Sequence, residues 1–504
     1  MVEWVSMGGW SRWSRALGQA LGIVLMLGLE SRVGADGVGA TVPTPVTVPW
    51  VLYTGCREVH PGHRCELRPG ATLTIWAEVD PMQATLLVDG WPVAAKVEVL
   101  DGGPRWTVTP PAGARRVELR ADGEGVSSRF SLVLEERERE WAPVLAEIEA
   151  LPNAMARRTL ARLLPQLRGE AQVQGLMLAA TLADQANDPD ARFEAYERGV
   201  AAAQAVGWPH EASDMAQRIV YGCIALRYDE ACAQRWLEHD AMLVGEDSER
   251  QITHSYYEGL LAGHRGDAGK ALRLFHEQGP GARRLGLVNL EAALILEEMI
   301  LVGRLGDRAR TKALLTRVLS LAPELRKSKR SQLINGAASM LLDAKARGVE
   351  PAGPRPLLKS ALELAGDARD AITVRSRQTI LLNLAYAAVL DEQVASARQW
   401  LDRVDTRALT YEHHRWLLLL RARVATLAGD AEEALRLFTS LAADHSPEPD
   451  LQWHALIGRG RAQEALGRPP EARASYEEAE ALLEAQALRI ARGQGCLLYT
   501  SRCV

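Results

Sequence analysis

"GDAGKALRLF", Gly266 to Phe275, returns as "GDAEEALRLF", Gly429 to Phe438, with only two positions changed. A ten-residue match across so long a separation is a sign of internal repetition, which decides architecture before any local propensity does. Both copies read Gly-Asp, then an Ala (Ala271, Ala434), then a large apolar ring (Phe275, Phe438). A looser third copy, "GRPPEARASY" (Gly467 to Tyr476), keeps the glycine, Ala472 and an aromatic. A helix precedes each copy and brings a small residue to the turn: Gly259, Ala422 or Gly460. The glycine ends one helix, the Ala lets the second approach closely, and the ring fills the gap to the neighbouring hairpin. Weaker units centre on Ala195, Ala231, Ala313 and Ala397, and Ala397, Ala434 and Ala472 lie just under forty residues apart. The loop "RGVEPAGPRP", Arg347 to Pro356, interrupts the series.

This small–Gly–Ala–aromatic pattern resembles the tetratricopeptide repeat (TPR), at spacings longer and less even than that family's unit. The resemblance covers residues 137–490 and implies a TPR-like α-solenoid of stacked helical hairpins. No single hairpin can bury its apolar stripe, so each covers the next, and the stack presents a long concave face suited to a protein or peptide.

Residues 46–136 change period. "TLTIWAEV", Thr72 to Val79, sets Leu73, Ile75 and Ala77 on one face. Asp89-Gly90 signals a hairpin, Ala112-Gly113 a turn, and "SSRFSLVLEE" a last strand. The expectation is a small β-sandwich of Ig-like kind, so that the whole chain is mainly α with a β region in front. Within it, "CREVHPGHRC" gathers Cys56, His60, His63 and Cys65 into ten residues. These side chains could hold zinc, yet zinc sites usually draw ligands from two separated knuckles. A bend at Pro61-Gly62 instead brings the cysteines together, and a Cys56–Cys65 disulfide is the expectation, with no metal ligand assigned.

The chain has 504 residues, a formal net charge of -5 and 24% charged residues. Nothing in that balance favours nucleic acid. Arg12 and Arg15 precede the apolar run "ALGQALGIVLMLGL", followed by "VGA" twice, so residues 1–40 read as an export signal. The run is short for a bilayer, so no membrane span is expected after cleavage, and the chain is placed in the periplasm, the envelope or outside the cell. Cys223 and Cys232 fall on one hairpin, as core thiols or a second disulfide. His413 and His414 are adjacent on a helix and point apart. Glu432-Glu433 and Glu477-Glu478 read as solvated faces. No Gly-rich phosphate loop, HExxH or GxSxG occurs. No catalytic or cofactor-binding residue is expected.

The final "CLLYTSRCV", residues 496–504 with Cys496 and Cys503, breaks from the helical composition before it. Its codons can spell two inverted copies of a transposon end used in sequencing libraries, and it is excluded from the fold as an adapter scar. The order of leader, "CREVHPGHRCELRPGATLTIW" (Cys56 to Trp76), repeats and the helix Ala479 to Gly495 resembles the N-terminal part of myxobacterial-type proteins. In those proteins tetratricopeptide repeats precede a caspase-like CHAT peptidase domain. The resemblance implies a binding and regulatory fragment with no activity of its own, the catalytic His and Cys lying beyond it. The alternative is a complete, non-enzymatic envelope adaptor. A zinc enzyme built on His60 and His63 is the third reading.

Overall fold

The computed structural model describes residues 51–493 other than 55, 57, 61–62, 68–69, 80–81, 83, 101–102, 124–125, 137–140, 187, 246, 347–352, 367–370 and 444–448. The expected leader and the 496–504 tail lie outside the described residues, as do Pro61-Gly62 and the side chain of His60.

The described chain is mainly helical, with an N-terminal region of strands in two sheets. The strands are β1 Val51–Thr54, β2 Glu58–His60, β3 Arg64–Leu67, β4 Leu73–Ala77, β5 Ala84–Val88, β6 Trp91–Pro92, β7 Lys96–Leu100, β8 Gly103–Val108, β9 Arg116–Gly123 and β10 Val126–Glu136. One sheet runs β1-β4-β8-β7, the other β2-β3-β10-β9-β5-β6. Pairing is antiparallel except between β3 and β10. Asp89 and Gly90 turn β5 into β6 with φ of 49° and 86°, the left-handed pair a tight hairpin needs. The Asp89 carboxylate accepts from the amides of Arg115 (3.0 Å) and Arg116 (2.8 Å), which ties that turn to the start of β9. Alternation places Leu73, Ile75 and Trp106 of the first sheet in one buried cluster with Val117, Leu119 and Leu132 of the second. Trp76, on the opposite face of β4, is also fully buried, because the helices cover that face.

Eighteen α-helices follow among the described residues: α1 Ala142–Glu149, α2 Asn153–Leu163, α3 Gly169–Gln185, α4 Pro189–Ala205, α5 Pro209–Gly222, α6 Glu230–Leu243, α7 Ser248–His264, α8 Ala268–Arg284, α9 Val288–Arg304, α10 Arg308–Leu321, α11 Lys327–Ala346, α12 Pro354–Ala365, α13 Ala371–Leu390, α14 Val394–Asp402, α15 Tyr411–Leu427, α16 Ala431–Ala442, α17 Pro449–Ala465 and α18 Pro469–Gly493. The Gly-Asp dipeptide is the punctuation between them. Gly266, Gly306 and Gly429 hold φ of 84°, 83° and 79°, a conformation that costs glycine nothing and ends the helix. The next residue, Asp267, Asp307 or Asp430, accepts from the amide three positions on, at 3.0, 3.0 and 3.1 Å, and starts the following helix. Each such cap is worth about 1 kcal/mol.

Small residues meet rings, but not every ring fills the gap to the neighbouring hairpin as expected. A Cβ built on Gly259 would lie 2.9 Å from Phe275 Cζ, and one on Gly460 would lie 2.8 Å from Tyr476 Cδ1; these rings close on their own hairpin. Phe438 and Phe193 instead lie on Gly458 and Gly222 of the following helix. Each ring goes to the flank that offers a bare backbone; Ala422, opposite Phe438, carries a methyl and is itself fully buried. Ala231 and Ala313, expected at unit centres, are exposed; the buried neighbours are Ala233 and Leu314. A slip of one or two positions on a helix turns a residue from the core to water.

From α1 to α18 every helix packs on the next, and the odd-numbered helices from α5 to α17 also pack on their next odd-numbered neighbour. The odd helices from α5 to α17 therefore form a continuous row. One contact joins that row to an earlier helix. Arg375 of α13 donates to the Asp184 carboxylate (3.1 Å) and carbonyl (3.0 Å) at the end of α3, 191 residues away.

Candidate functional site

A set of buried and half-buried polar groups runs from α3 to α7, with Arg375 of α13 reaching its α3 end. Charged side chains leave water only when partners repay the desolvation, so such a cluster in an Ala/Leu-rich array needs an account. Asp184 receives Arg192 at 2.5 Å as well as Arg375. Burial pushes its carboxyl up, but Arg375 and Arg192 outweigh that and hold it below the usual range. Further along, Asp214 of α5 is paired with Arg218 (2.7 Å) and with Arg250 of α7 (3.1 Å). Burial again works against the charged form, and the two guanidinium groups again prevail, holding Asp214 well below the ordinary value. Arg250 also donates to His210 Nε2 at 2.5 Å, and His210 Nδ1 lies 2.7 Å from Asp247 Oδ2. Asp247 meanwhile caps α7 by accepting from its amide of Arg250 at 3.1 Å.

Beside this band sits Asp240 of α6, wholly shielded from solvent. It accepts from Ser213 Oγ (2.6 Å), Gln217 Nε2 (3.1 Å) and His254 Nδ1 (2.7 Å). A serine, a histidine and an aspartate in contact invite a catalytic reading, but the order is wrong. In a nucleophilic triad the imidazole stands between hydroxyl and carboxylate, so that it can take the serine proton. Here Ser213 and His254 each bind the carboxylate, and Ser213 is fully buried. The arrangement ties three helices together.

One carboxyl differs from these. Glu297 of α9 is half-buried and faces Tyr256, and burial raises its pKa from 4.5 to about 7 despite the opposing charge of Arg304.

The β region docks on the same part of the array. Strand β2 packs on α5 and β1 on α7. Thr54 Oγ1 donates to Glu249, and Arg105 Nη1 donates to the Arg283 carbonyl at 2.9 Å. The Arg284 guanidinium lies 4.2 Å from the centre of the Trp76 ring, whose indole N–H donates to the Gly103 carbonyl at 3.2 Å. Leu52 and Trp76 belong to one buried cluster with Ile252, Tyr256 and Leu285. The strands thus occupy the beginning of the odd-helix row, and α9 to α17 continue beyond them.

Cys56 and Cys65 stand at disulfide-bonding distance, with Cα atoms 5.4 Å apart. His63, in the left-handed region at φ 53°, turns its ring toward Tyr53 and Phe130; Tyr53 Oη lies 3.2 Å from His63 Nδ1. The His60 backbone pairs with Arg64. Cys223 and Cys232 form a second pair at bonding distance, joining the π-helical turn after α5 to α6. His413 is buried between Thr379 (3.0 Å) and Thr410 (2.7 Å), while His414 is exposed. Glu433 pairs with Arg436, Glu477 with Arg473 and Glu478 with Arg459, all toward solvent. Among the described residues no three His, Cys, Asp or Glu side chains converge on a point that could hold a metal ion. No described helix is long and apolar enough to cross a membrane.

The charged band was absent from the sequence-based expectations. Its trace is "SDMAQR", Ser213 to Arg218, where polar residues recur at three- and four-residue spacing on one stripe of a helix that is buried almost all round. Compared with protein-family models and with curated proteins, the sequence matches none.

Proposed function

We propose that the chain is a protein-interaction scaffold: a TPR-like α-solenoid that grips a protein or peptide on its concave side and carries out no reaction itself. The observation that carries this reading is the continuous row of odd-numbered helices. When one set of helices touches its second neighbours and the other does not keep that spacing, the stack curves with the touching set inside. The strands in two sheets are read as a small Ig-like β-sandwich that covers the start of the concave row, which assigns the partner to the stretch from α9 to α17. The serine–aspartate–histidine geometry around Asp240 supports a scaffold rather than an enzyme. Two cysteine pairs at bonding distance are compatible with an exported protein. The order of parts supports the binding and regulatory portion of a CHAT-type peptidase.

Peptides selected from a random library on the protein test the scaffold reading. Hydrogen exchange with a selected peptide bound should protect segments of α9, α11, α13, α15 and α17. Protection confined to the even-numbered helices would overturn it. The second reading, a non-enzymatic envelope adaptor, shares the same surface. The uninterrupted gene beyond the codon for Gly495 separates the two: a frame encoding a His/Cys peptidase favours the first, an immediate stop the second.

A further inference from the structure

Helices α13, α15 and α17 are successive members of the odd-numbered row, and one half-exposed strip crosses all three. Trp416 and Arg423 stand seven residues apart, two turns along a single stripe of α15. On one side the Trp416 ring meets Tyr386 of α13, with centroids 6.3 Å apart, and the Arg423 guanidinium lies 5.7 Å from the centre of the same Tyr386 ring. On the other side Arg423 Nη2 donates to His454 Nδ1 of α17 at 3.3 Å. Tyr386, Trp416, Arg423 and His454 are all half-buried. Asn383, three residues before Tyr386, donates to Asn335 and Ser339 of α11, each at 2.9 Å, and carries the strip on to the next helix of the row.

The charge of Arg423 is balanced by nothing around it. Arg218, Arg250, Arg317 and Arg459 are half-buried as well, and each holds a carboxylate of this chain. Among the described side chains no carboxylate lies within ion-pairing distance of Arg423; its neighbours are an imidazole and aromatic rings, which bring no negative charge. A guanidinium presents five N–H donors, and His454 takes one of them. A cation partly withdrawn from water, and steadied by a ring face and an imidazole, is arranged in advance for an anion. Helices α13, α15 and α17 hold seven arginines against three acidic residues, while the whole chain has a net charge of -5, so the local balance runs opposite to the chain's. Resting on the scaffold reading above, we propose that this strip takes an acidic side chain, Asp or Glu, from within a bound peptide segment. Arg423 holds the carboxylate through paired N–H donors, and Tyr386 and Trp416 pack on the residues beside it. The strip runs on along the row toward α11, which suits a segment passing across it better than a chain end. The acidic balance of the protein as a whole repels a polyanion, so one carboxylate among apolar neighbours fits where a string of phosphates does not.

Selection from a random peptide library with both chain ends blocked, carried out on the full chain, tests this. Peptides retained by the wild-type protein should be enriched in Asp and Glu, and the enrichment should vanish on Arg423→Gln. A retained acidic peptide, titrated by fluorescence anisotropy, should bind Arg423→Gln about tenfold or more weakly, and Arg423→Lys, which restores the charge without the planar fork, should recover part of the loss. Arg421→Gln is the control: Arg421 is exposed and lies two positions from Arg423, about 200° around the helix, so its removal should leave the affinity unchanged. Peptides that protect the odd-numbered helices yet show no excess of acid would overturn the proposal and leave the scaffold standing. A failure to retain any peptide would overturn both. Acidic peptides that bind Arg423→Gln as tightly as the wild type, or lose as much affinity on Arg421→Gln, would also overturn it.

Discussion

Gly259→Ala should destabilise the α7–α8 hairpin although it improves helix propensity. Gly259 lies inside α7, and there Ala is favoured over Gly by about 1 kcal/mol in an open helix. The structure sets a larger cost against that gain. The new Cβ would overlap the Phe275 ring, which is 2% exposed. Overpacking of this kind costs about 1–3 kcal/mol, so the net effect is a loss of up to about 2 kcal/mol. Gly269→Ala is the matched control. It lies in the first turn of α8, is exposed, and its Cβ would meet nothing closer than 3.8 Å, so this substitution should stabilise by about 0.5–1 kcal/mol. The cycle with Phe275→Leu isolates the contact: in the Gly259→Ala background the smaller side chain should cost about 1–2 kcal/mol less than in the wild type. Urea unfolding gives the global numbers, and hydrogen exchange localises them, since a stacked array need not unfold in one step. Stabilisation by Gly259→Ala equal to that of Gly269→Ala would refute the close-approach argument for the repeat glycine.

Burial raises Glu297 from 4.5 to about 7, so the folded state holds its proton more tightly than the unfolded chain. The stability this gives is complete below the unfolded value and lost as pH rises toward 7; Glu297→Gln should therefore melt higher than wild type at pH 8 and lose its advantage near pH 4.5, and parallel melting curves at all pH values would contradict this. Asp184 behaves oppositely: its folded pKa is depressed below the ordinary 3.8, so its stabilising contribution holds at neutral pH and disappears only as pH falls below that value. Arg375→Ala removes two hydrogen bonds to Asp184 but leaves Arg192 in place, so the cost is about 1 kcal/mol and the visible effect is faster exchange at the end of α3; unchanged exchange there would show that the contact holds nothing.

Much of the helical region was legible because its signals are local. Gly-Asp writes a helix stop and a helix start in two adjacent residues, and the Ala–aromatic spacing behind it states which stripe is buried. The Asp89-Gly90 hairpin and the alternation in β4 are of the same kind. What was not legible depends on contacts between distant segments. Nothing near Trp76 says that its face of the sheet will meet α7 and α8, and the alternation rule alone would send it to solvent. Whether Phe438 packs on its own hairpin or the next depends on a bare glycine twenty residues later, at Gly458. The parallel β3–β10 pair and the β7 edge likewise follow from topology, which a single sequence does not carry. The charged band left only a faint stripe in α5, because its partners come from α3, α4, α7 and α13. The candidate site was therefore less readable than the fold: a site assembled from five helices has no contiguous motif.

Small-angle scattering from the purified protein tests the central claim most directly. A compact globule of 504 residues has a radius of gyration of about 23 Å. Stacked hairpins curving around an open inner face predict a larger radius in the monomer, extrapolated to infinite dilution, and a pair-distance distribution skewed to long distances. A radius at the globular value with a symmetric distribution would contradict a scaffold that binds along its inner surface.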